Sequence, residues 1–376
     1  MRPLRLLAIA ALAVAALAAC GEARQPDLIS VSTGGCGGSW RLAAPGWHTF
    51  RVYNASTGGA EVDLVNPATS AIYAEITNFG PRTTASMRLD IGSGAYAFRC
   101  LFDDYDPMTG PAVTVPGHAK GTPAIEPVTY NQLIPLAKKY QAYTAAGLDT
   151  LAAQVTTLDA RVRRGDLAAA KRAWLTAHLT YERLGAAYDA FGDFDGEIDG
   201  RADALGVHNP QWTGFYRLEY GLWHGQSAPE LTGVANTLDQ DVRALRKAWP
   251  TIEINLLQIG LRTHEILENA LEFQLTGHDD YGSGTTLATT AANITGTREL
   301  LTLLHPLLAP RYAGLPTVYH WLDRLQALLE NQHRPDGSWV PVASLPSTVR
   351  ERINAACGEA LQVLAPIASI TEPRNT

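Results

Sequence analysis

The spacing of apolar residues changes once along this chain, and that change decides what it can fold into. From residue 127 onward apolar side chains recur three and four apart in seven runs: 130–164, 167–191, 231–248, 254–275, 287–308, 318–332 and 349–367. That spacing lays a buried stripe along one side of a helix. Before residue 117 the runs are short and β-branched or aromatic, at 27–33, 47–54, 61–65, 71–79, 85–91, 95–102 and 112–115. Clusters such as Gly34-Gly35, Thr57-Gly58-Gly59 and Gly92-Ser93-Gly94 separate them, which is the punctuation of strands. The expected fold is α+β in two domains. An N-terminal β-sandwich over 26–117 is followed by a linker at 118–126 and a C-terminal all-α helical bundle of six to eight helices over 127–371. A chain of 376 residues is long enough for two real cores.

Helix breaks are expected at Gly165-Asp166, Gly192-Asp193, Trp249-Pro250, Thr276-Gly277, Gly314-Leu315-Pro316 and Asp336-Gly337, with Asp166 and Ser283 as N-caps. Two segments inside the bundle read as irregular: 193–209, rich in Asp and Gly, and 209–225, rich in aromatics. Irregular polar stretches carried by a helical scaffold are where binding sites are often built.

The first twenty residues address the chain. Arg2 and Arg5 precede an apolar run from Leu6 to Ala19, which ends in Leu17-Ala18-Ala19-Cys20-Gly21. The run is too short to span a bilayer and has the charge order of a secretory signal. Small residues before a Cys resemble a bacterial lipobox, so residues 1–20 are expected to be a lipoprotein signal, with lipidation at Cys20. The protein is then secreted across the cytoplasmic membrane and held to the cell envelope by its acyl chains, on the periplasmic or extracellular face. No later segment reads as long and apolar enough to cross a membrane. In that compartment Cys36 and Cys100, at opposite ends of the β region, are expected to form a disulfide, and Cys357, on an apolar helical face, a buried thiol.

Net charge is −7, and loss of Arg2 and Arg5 with the signal makes it −9. There is no basic patch or arginine-rich arm, which argues against a nucleic-acid partner. The acids and histidines that could carry chemistry lie in the helical region. His178 and Glu182 are four apart, as are His264 and Glu268, while Tyr216 and Glu219 are three apart; each spacing puts both side chains on one helix face. Asp193, Asp195, Glu197 and Asp199 follow in the Asp-rich stretch. Carboxylate and phenolate oxygens with an imidazole suit a hard cation such as ferric iron, and helical bundles build such sites from inward-facing acids. By spacing alone Glu182, Asp199, Tyr216, Glu219, His264 and Glu268 are candidate ligands, and solvated helix faces with i,i+4 support give the same pattern. Hydrolase signatures are missing: His264-Glu265 is not followed by a second His four residues on, and no Gly-x-Ser-x-Gly elbow occurs.

The order of parts resembles the EfeO-type family of iron-uptake lipoproteins, which join a cupredoxin-like β-sandwich to an imelysin-like helical domain. The matching segments run from Ala173-Trp174 to Tyr181-Glu182-Arg183, then through Phe191-Gly192-Asp193-Phe194-Asp195 and Ile198-Asp199-Gly200-Arg201, then Gly214-Phe215-Tyr216-Arg217-Leu218-Glu219. The resemblance implies capture of iron, ferric or ferrous, and its delivery to a membrane iron permease, with a haem peroxidase as a further partner in an EfeUOB-like system. It also makes copper a candidate in the β domain, where Cys36 and Cys100 match proposed metal-binding positions and Glu61 and Asp103 are candidate oxygen ligands. The usual cupredoxin set of two His, Cys and Met is absent, so a structural disulfide is the stronger reading of the two cysteines. The family motif Gly-Phe-His-x-x-Glu has Tyr216 at its His position and keeps Glu219, so retention of the site is expected with an altered metal preference. The alternatives are a metal-dependent peptidase of the imelysin-like class with Glu219 as general base, and a surface-binding lipoprotein that has lost its metal.

Overall fold

The computed structural model describes residues 28–38, 40–42, 44–202 and 206–374. The expected lipidation site at Cys20 lies outside them. The chain divides into two compact units between Glu126 and Pro127, each with its own core.

The first unit is a two-sheet β-sandwich. One sheet has the order β2-β1-β3-β6 and the other β5-β4-β7-β8, with β9 paired to β7. The strands are β1 (Leu28–Ser32), β2 (Gly35–Cys36), β3 (Gly46–Asn54), β4 (Ala60–Val65), β5 (Ile72–Phe79), β6 (Thr84–Ile91), β7 (Gly94–Phe102), β8 (Met108–Thr109) and β9 (Val113–Val115). β1 runs parallel to β3 and the other pairs are antiparallel. Alternating side chains close the core from both sheets, Val31, Val52 and Ile91 from one and Val62, Leu64 and Phe98 from the other. Trp40 sets its ring edge-on to Phe98, with centroids 4.9 Å apart. Asp63 and Arg99 face each other across β4 and β7, and both Nε and Nη2 of the arginine donate to Asp63 Oδ2, at 3.2 and 2.9 Å. The buried pair satisfies the charges that these central strands would otherwise bury alone.

Cys36 and Cys100 form a disulfide that ties β2 of one sheet to β7 of the other. It closes a separation of 64 residues, for which the chain-entropy estimate is about 4 kcal/mol. Changing both cysteines to Ala is expected to lower the stability of the β unit by about that much. Urea unfolding followed by a probe in that unit, such as Trp40 fluorescence, reads the loss; an unmoved midpoint would show that the bond constrains nothing. Cys357, in the second unit, is free and buried. Burial pushes its thiol up to about 12.

The second unit is helical: α1 (Tyr130–Arg163), α2 (Leu167–Glu182), α3 (Tyr188–Phe191), α4 (Asp193–Asp199), α5 (Gly214–Trp223), α6 (Ala228–Ala248), α7 (Gln258–Asn269), α8 (Thr286–Leu308), α9 (Leu315–Glu330) and α10 (Ser347–Thr371). α1 starts in a capping box, Thr129 Oγ1 accepting from the Gln132 N–H while Gln132 Oε1 accepts from the Thr129 N–H. Its buried seam (Leu133, Leu136, Tyr140, Leu148, Leu151, Val155, Leu158) packs along α2 and α6. The first part of α8 is buried on every side from Thr286 to Ile294, which makes it the central helix.

Four local expectations are corrected. The run 167–191 is not one helix: α2 stops at Glu182, and a 3-10 turn at Gly185–Ala187 leads into α3. The segments read as irregular contain α4 and α5. Ser283 does not cap α8; the N-cap position is Thr285, because the Ser283 backbone is turned toward Glu219. Finally, α10 is long and apolar enough to cross a membrane by length and composition, but Ile353, Ala356, Cys357, Ala360, Leu364 and Ile367 are buried in the helical core.

Candidate metal centre

Two reversals of the chain build this site. Gly192 adopts φ 59°, ψ −131°, a backbone conformation open to glycine and strained for other residues. There α3 ends and α4 begins. Gly214, at φ 88°, starts α5 so close to α4 that a Cβ would stand 2.3 Å from the Ile198 carbonyl oxygen. Trp174 Nε1 donates to the Phe215 carbonyl at 2.9 Å and Trp212 Nε1 to that of Gly200 at 2.8 Å, which ties α2 to α5 and both ends of the intervening loop together.

Three side chains meet as a result. His178 and Glu182 project from one face of α2, and Asp199 arrives from the last turn of α4. His178 Nε2 lies 3.0 Å from Glu182 Oε1 and 3.2 Å from Asp199 Oδ1, and the three ligand atoms all fall within 4.8 Å of one another. None of these three atoms makes a hydrogen bond of good geometry, although all are buried. Apart from this mutual ion pairing the three buried atoms have no hydrogen-bond partner, an arrangement that a cation between them would also account for. With bonds of about 2.1 Å, ligands at right angles stand roughly 3 Å apart.

A second layer orients the first. Asn293 on α8, with its amide nitrogen toward Glu182, donates to the Glu182 carbonyl and to Oε2, both at 3.0 Å. Tyr181 OH donates to Asp195 Oδ1 at 2.6 Å. Tyr216 on α5 sets its ring edge to the His178 ring, with centroids 5.3 Å apart, and donates through its OH to Asp279 Oδ2 at 3.0 Å. Gln274 Nε2 donates to the same oxygen at 2.6 Å. Gln274 closes a π-helical turn, Ala270–Gln274, that follows α7; such turns are frequent at functional sites. Glu219 Oε1 accepts from the backbone N–H groups of Tyr281 and Ser283, at 3.2 and 2.9 Å, and so clamps the loop that carries Asp279.

The electrostatics show an excess of buried acid. Burial pushes Asp199 up to about 8 against the attraction of His178. It pushes Glu219 up to about 8 against the hydrogen bonds from Ser283, and Asp279 to about 6 with help from the charge of Glu182. Burial opposes a charged His178, but Asp199 and Glu182 outweigh it and hold the imidazolium well above its usual range. Tyr216 is raised well above the usual phenol by burial and by the surrounding carboxylates. Four acids around one imidazole form a site whose charge a cation would balance.

A cavity of about 110 Å³ adjoins these side chains, with Glu182, Asp195, Asp199, Tyr216, Arg201 and Arg262 in its wall.

Of the ligands expected from sequence, Glu182 and Asp199 are brought together and Tyr216 lines the cavity beside them. Glu219 is buried next to this group but is engaged with backbone. His264 and Glu268 pair with each other at 3.6 Å on α7, with the Glu268 side chain 58% exposed, and they do not line the cavity. Asp193 and Glu197 are exposed. In the β unit Cys36 and Cys100 are bonded to each other; Glu61 approaches Asp63 and Glu75, and Asp103 is outside that group. Sequence reasoning left His178 out of the ligand set, although its spacing from Glu182 was visible, and it missed Asp279. The only signal for Asp279 was an acidic, Gly-bracketed break, Gly277-His278-Asp279-Asp280-Tyr281-Gly282, between two apolar helices.

The imelysin family model, Peptidase M75, matches residues 136–330. An iron uptake system component EfeO from Yersinia pestis is 28% identical over 271 residues, 71% of this chain and 70% of that protein. EfeM of Pseudomonas syringae pv. syringae, also named as an iron uptake system component, is 27% identical over 44% of this chain and 59% of its own length. An Efem/EfeO family lipoprotein from Staphylococcus haemolyticus is 25% identical over 62% of this chain and 83% of its own length. Among solved structures, a candidate iron-regulated protein A precursor from Parabacteroides distasonis aligns with TM-score 0.53 at 13% identity, covering 65% of this chain and 96% of that one; this likeness concerns the fold alone. The EfeO and EfeM relatives are named as iron uptake system components rather than for hydrolysis.

Proposed function

The chain belongs to the imelysin family and resembles the EfeO and EfeM iron-uptake components, and on that premise we propose that it captures iron in the helical unit for delivery to a membrane permease. The observation that carries this reading is the convergence of His178 Nε2, Glu182 Oε1 and Asp199 Oδ1, all buried and none hydrogen-bonded. Two carboxylates, an imidazole and a neighbouring phenol form a donor set for a hard cation, which favours ferric iron as cargo. Tyr216 is the proposed fourth donor, released from Asp279 when the cation displaces its proton. Glu219 serves as the clamp of the Tyr281–Ser283 backbone rather than as a ligand.

The remaining parts fit around that core. A lipid at Cys20 would keep the protein at the outer side of the cytoplasmic membrane, close to a permease and to a haem peroxidase partner of an EfeUOB-like system. We read the β unit as cupredoxin-like; with Cys36 and Cys100 in a disulfide, its proposed role is docking rather than copper chemistry.

Titration of the purified protein with ferric iron, ferrous iron, zinc and copper tests the reading. One equivalent of iron per chain is expected, with visible absorption from a phenolate–iron bond. Tyr216→Phe is expected to lose that absorption and keep the stoichiometry, since the triad is intact. Absence of iron binding in the wild-type protein would reject the proposal, and an unaltered spectrum in Tyr216→Phe would remove Tyr216 from the ligand set.

A further inference from the structure

We propose that the cavity beside the triad is a subsite for a small oxyanion of the carbonate or oxalate type, which binds together with the metal and bridges it to Arg262 and Arg201. The proposal rests on the metal-binding reading and specifies what completes the coordination. The triad offers three donors and Tyr216 a fourth, whereas a hard cation takes about six. Glu182, Asp199 and Tyr216 all line a cavity of about 110 Å³, where further donors could stand. At roughly 30 Å³ per water in the liquid, that is room for three or four waters or for one small bidentate anion with a water.

The wall of the cavity argues for the anion. Two guanidinium groups stand in it together with the metal-binding carboxylates. Arg262 is fixed by Asp189, at 3.4 Å from Nη2, and by Glu265, at 3.0 Å from Nη1. Its Nε is left buried with no hydrogen-bond partner. Arg201 stands over the Phe273 ring, with its guanidinium carbon 3.6 Å from the centroid. A cation does not gain from guanidinium neighbours by itself. With an oxyanion between them, each oxygen meets a positive charge, and the planar Arg fork matches a planar carboxylate-type group.

The competing account is that the arginines only offset the carboxylates, and it predicts the opposite sign. If Arg262 merely offsets charge, removing it leaves the site more negative and strengthens cation binding. If Arg262 anchors an anion that in turn holds the metal, removing it weakens cation binding, and only when the anion is present.

The experiment is iron titration of the full chain in buffer freed of bicarbonate, repeated with bicarbonate and with oxalate. For the wild-type protein at least about tenfold tighter binding is expected with an anion present, the scale of one charge-assisted hydrogen bond. Arg262→Gln is expected to lose that dependence and to bind iron more weakly than wild type in the presence of anion. Arg201→Gln, at an exposed residue that folding tolerates more readily, is expected to shift in the same direction by less. Equal iron affinity with and without anion overturns the subsite and leaves iron capture standing. Tighter binding by Arg262→Gln also overturns it, in favour of simple charge offset. No iron binding under any condition overturns both.

Discussion

Replacing Asp199 with Asn is expected to weaken iron binding by at least about a hundredfold and to lower the melting temperature of the metal-free protein. The first effect follows from its place in the proposed ligand triad, since an amide oxygen is a poorer donor to a hard cation than a carboxylate. The second follows from His178, whose Nε2 lies 3.2 Å from Asp199 Oδ1. With Glu182, Asp199 holds that imidazolium charged although burial opposes it. Removing one carboxylate leaves a buried cation with one partner fewer. The loss is on the order of 2 kcal/mol, or about 5 °C for a unit of this size. Iron titration and thermal melts with a chelator present read the two quantities separately. Unchanged affinity would take Asp199 out of the ligand set, and a raised melting temperature would mean that burying its carboxylate costs more than its pairing with His178 contributes.

The metal-free protein is also expected to lose stability as pH rises from about 5 to about 8. Asp199 and Glu219 are raised to about 8 and Asp279 to about 6, and His178 is raised well above its usual range. A group whose folded value lies above its unfolded one contributes stability that is fully present below the unfolded value and is lost as pH climbs through the folded value. All four groups act in that direction, so the native state holds more protons than the unfolded chain throughout the window. Each contributes up to about 1.4 kcal/mol per pH unit. Because they share protons with one another, the combined loss is smaller than their sum, on the order of 3–6 kcal/mol. Saturating metal would displace the protons of Asp199 and His178 and should flatten their share of the profile. Urea unfolding at intervals from pH 5 to pH 8, with chelator and with metal, reads both curves. Constant or rising stability without metal would contradict the account.

The switch of apolar period near residue 126 made the two folds legible, because a strand and a helix bury different residues of the same chain. The strand runs were visible for the same reason, since both faces of a sandwich core are written in β-branched and aromatic residues. Asp166 was readable as an N-cap because capping is local: its side chain accepts from the Ala169 N–H, three residues on. Ser283 misled because its backbone answers to Glu219, 64 residues earlier in the chain. The end of α2 at Glu182 was hidden because apolar spacing continues through Tyr188 and Phe191 while the backbone tightens at Gly185–Ala187.

The site was half legible. Glu182 with His178 and Tyr216 with Glu219 are helical spacings that any reading finds. What spacing does not report is which pairs meet. His178 joins Asp199 because Gly192 turns the chain back, whereas His264 and Glu268 have the same helical spacing and pair with each other away from the cavity. The resemblance drew attention to position 216, where the family motif has a histidine. The imidazole of this site comes instead from α2, with the Tyr216 ring against it.

The reversal at Gly192 has a thermodynamic corollary. It draws the whole triad from residues 178 to 199, so the unfolded chain keeps all three donors on one short tether. Closing the loop from Glu182 to Asp199, a separation of 17 residues, costs only about 3 kcal/mol of chain entropy. Any affinity the denatured molecule keeps through this tether means that metal would stabilise the native state by the ratio of two dissociation constants rather than by the native one alone. If the proposed triad holds the metal, the gain in melting temperature on loading should thus fall short of what the native affinity implies.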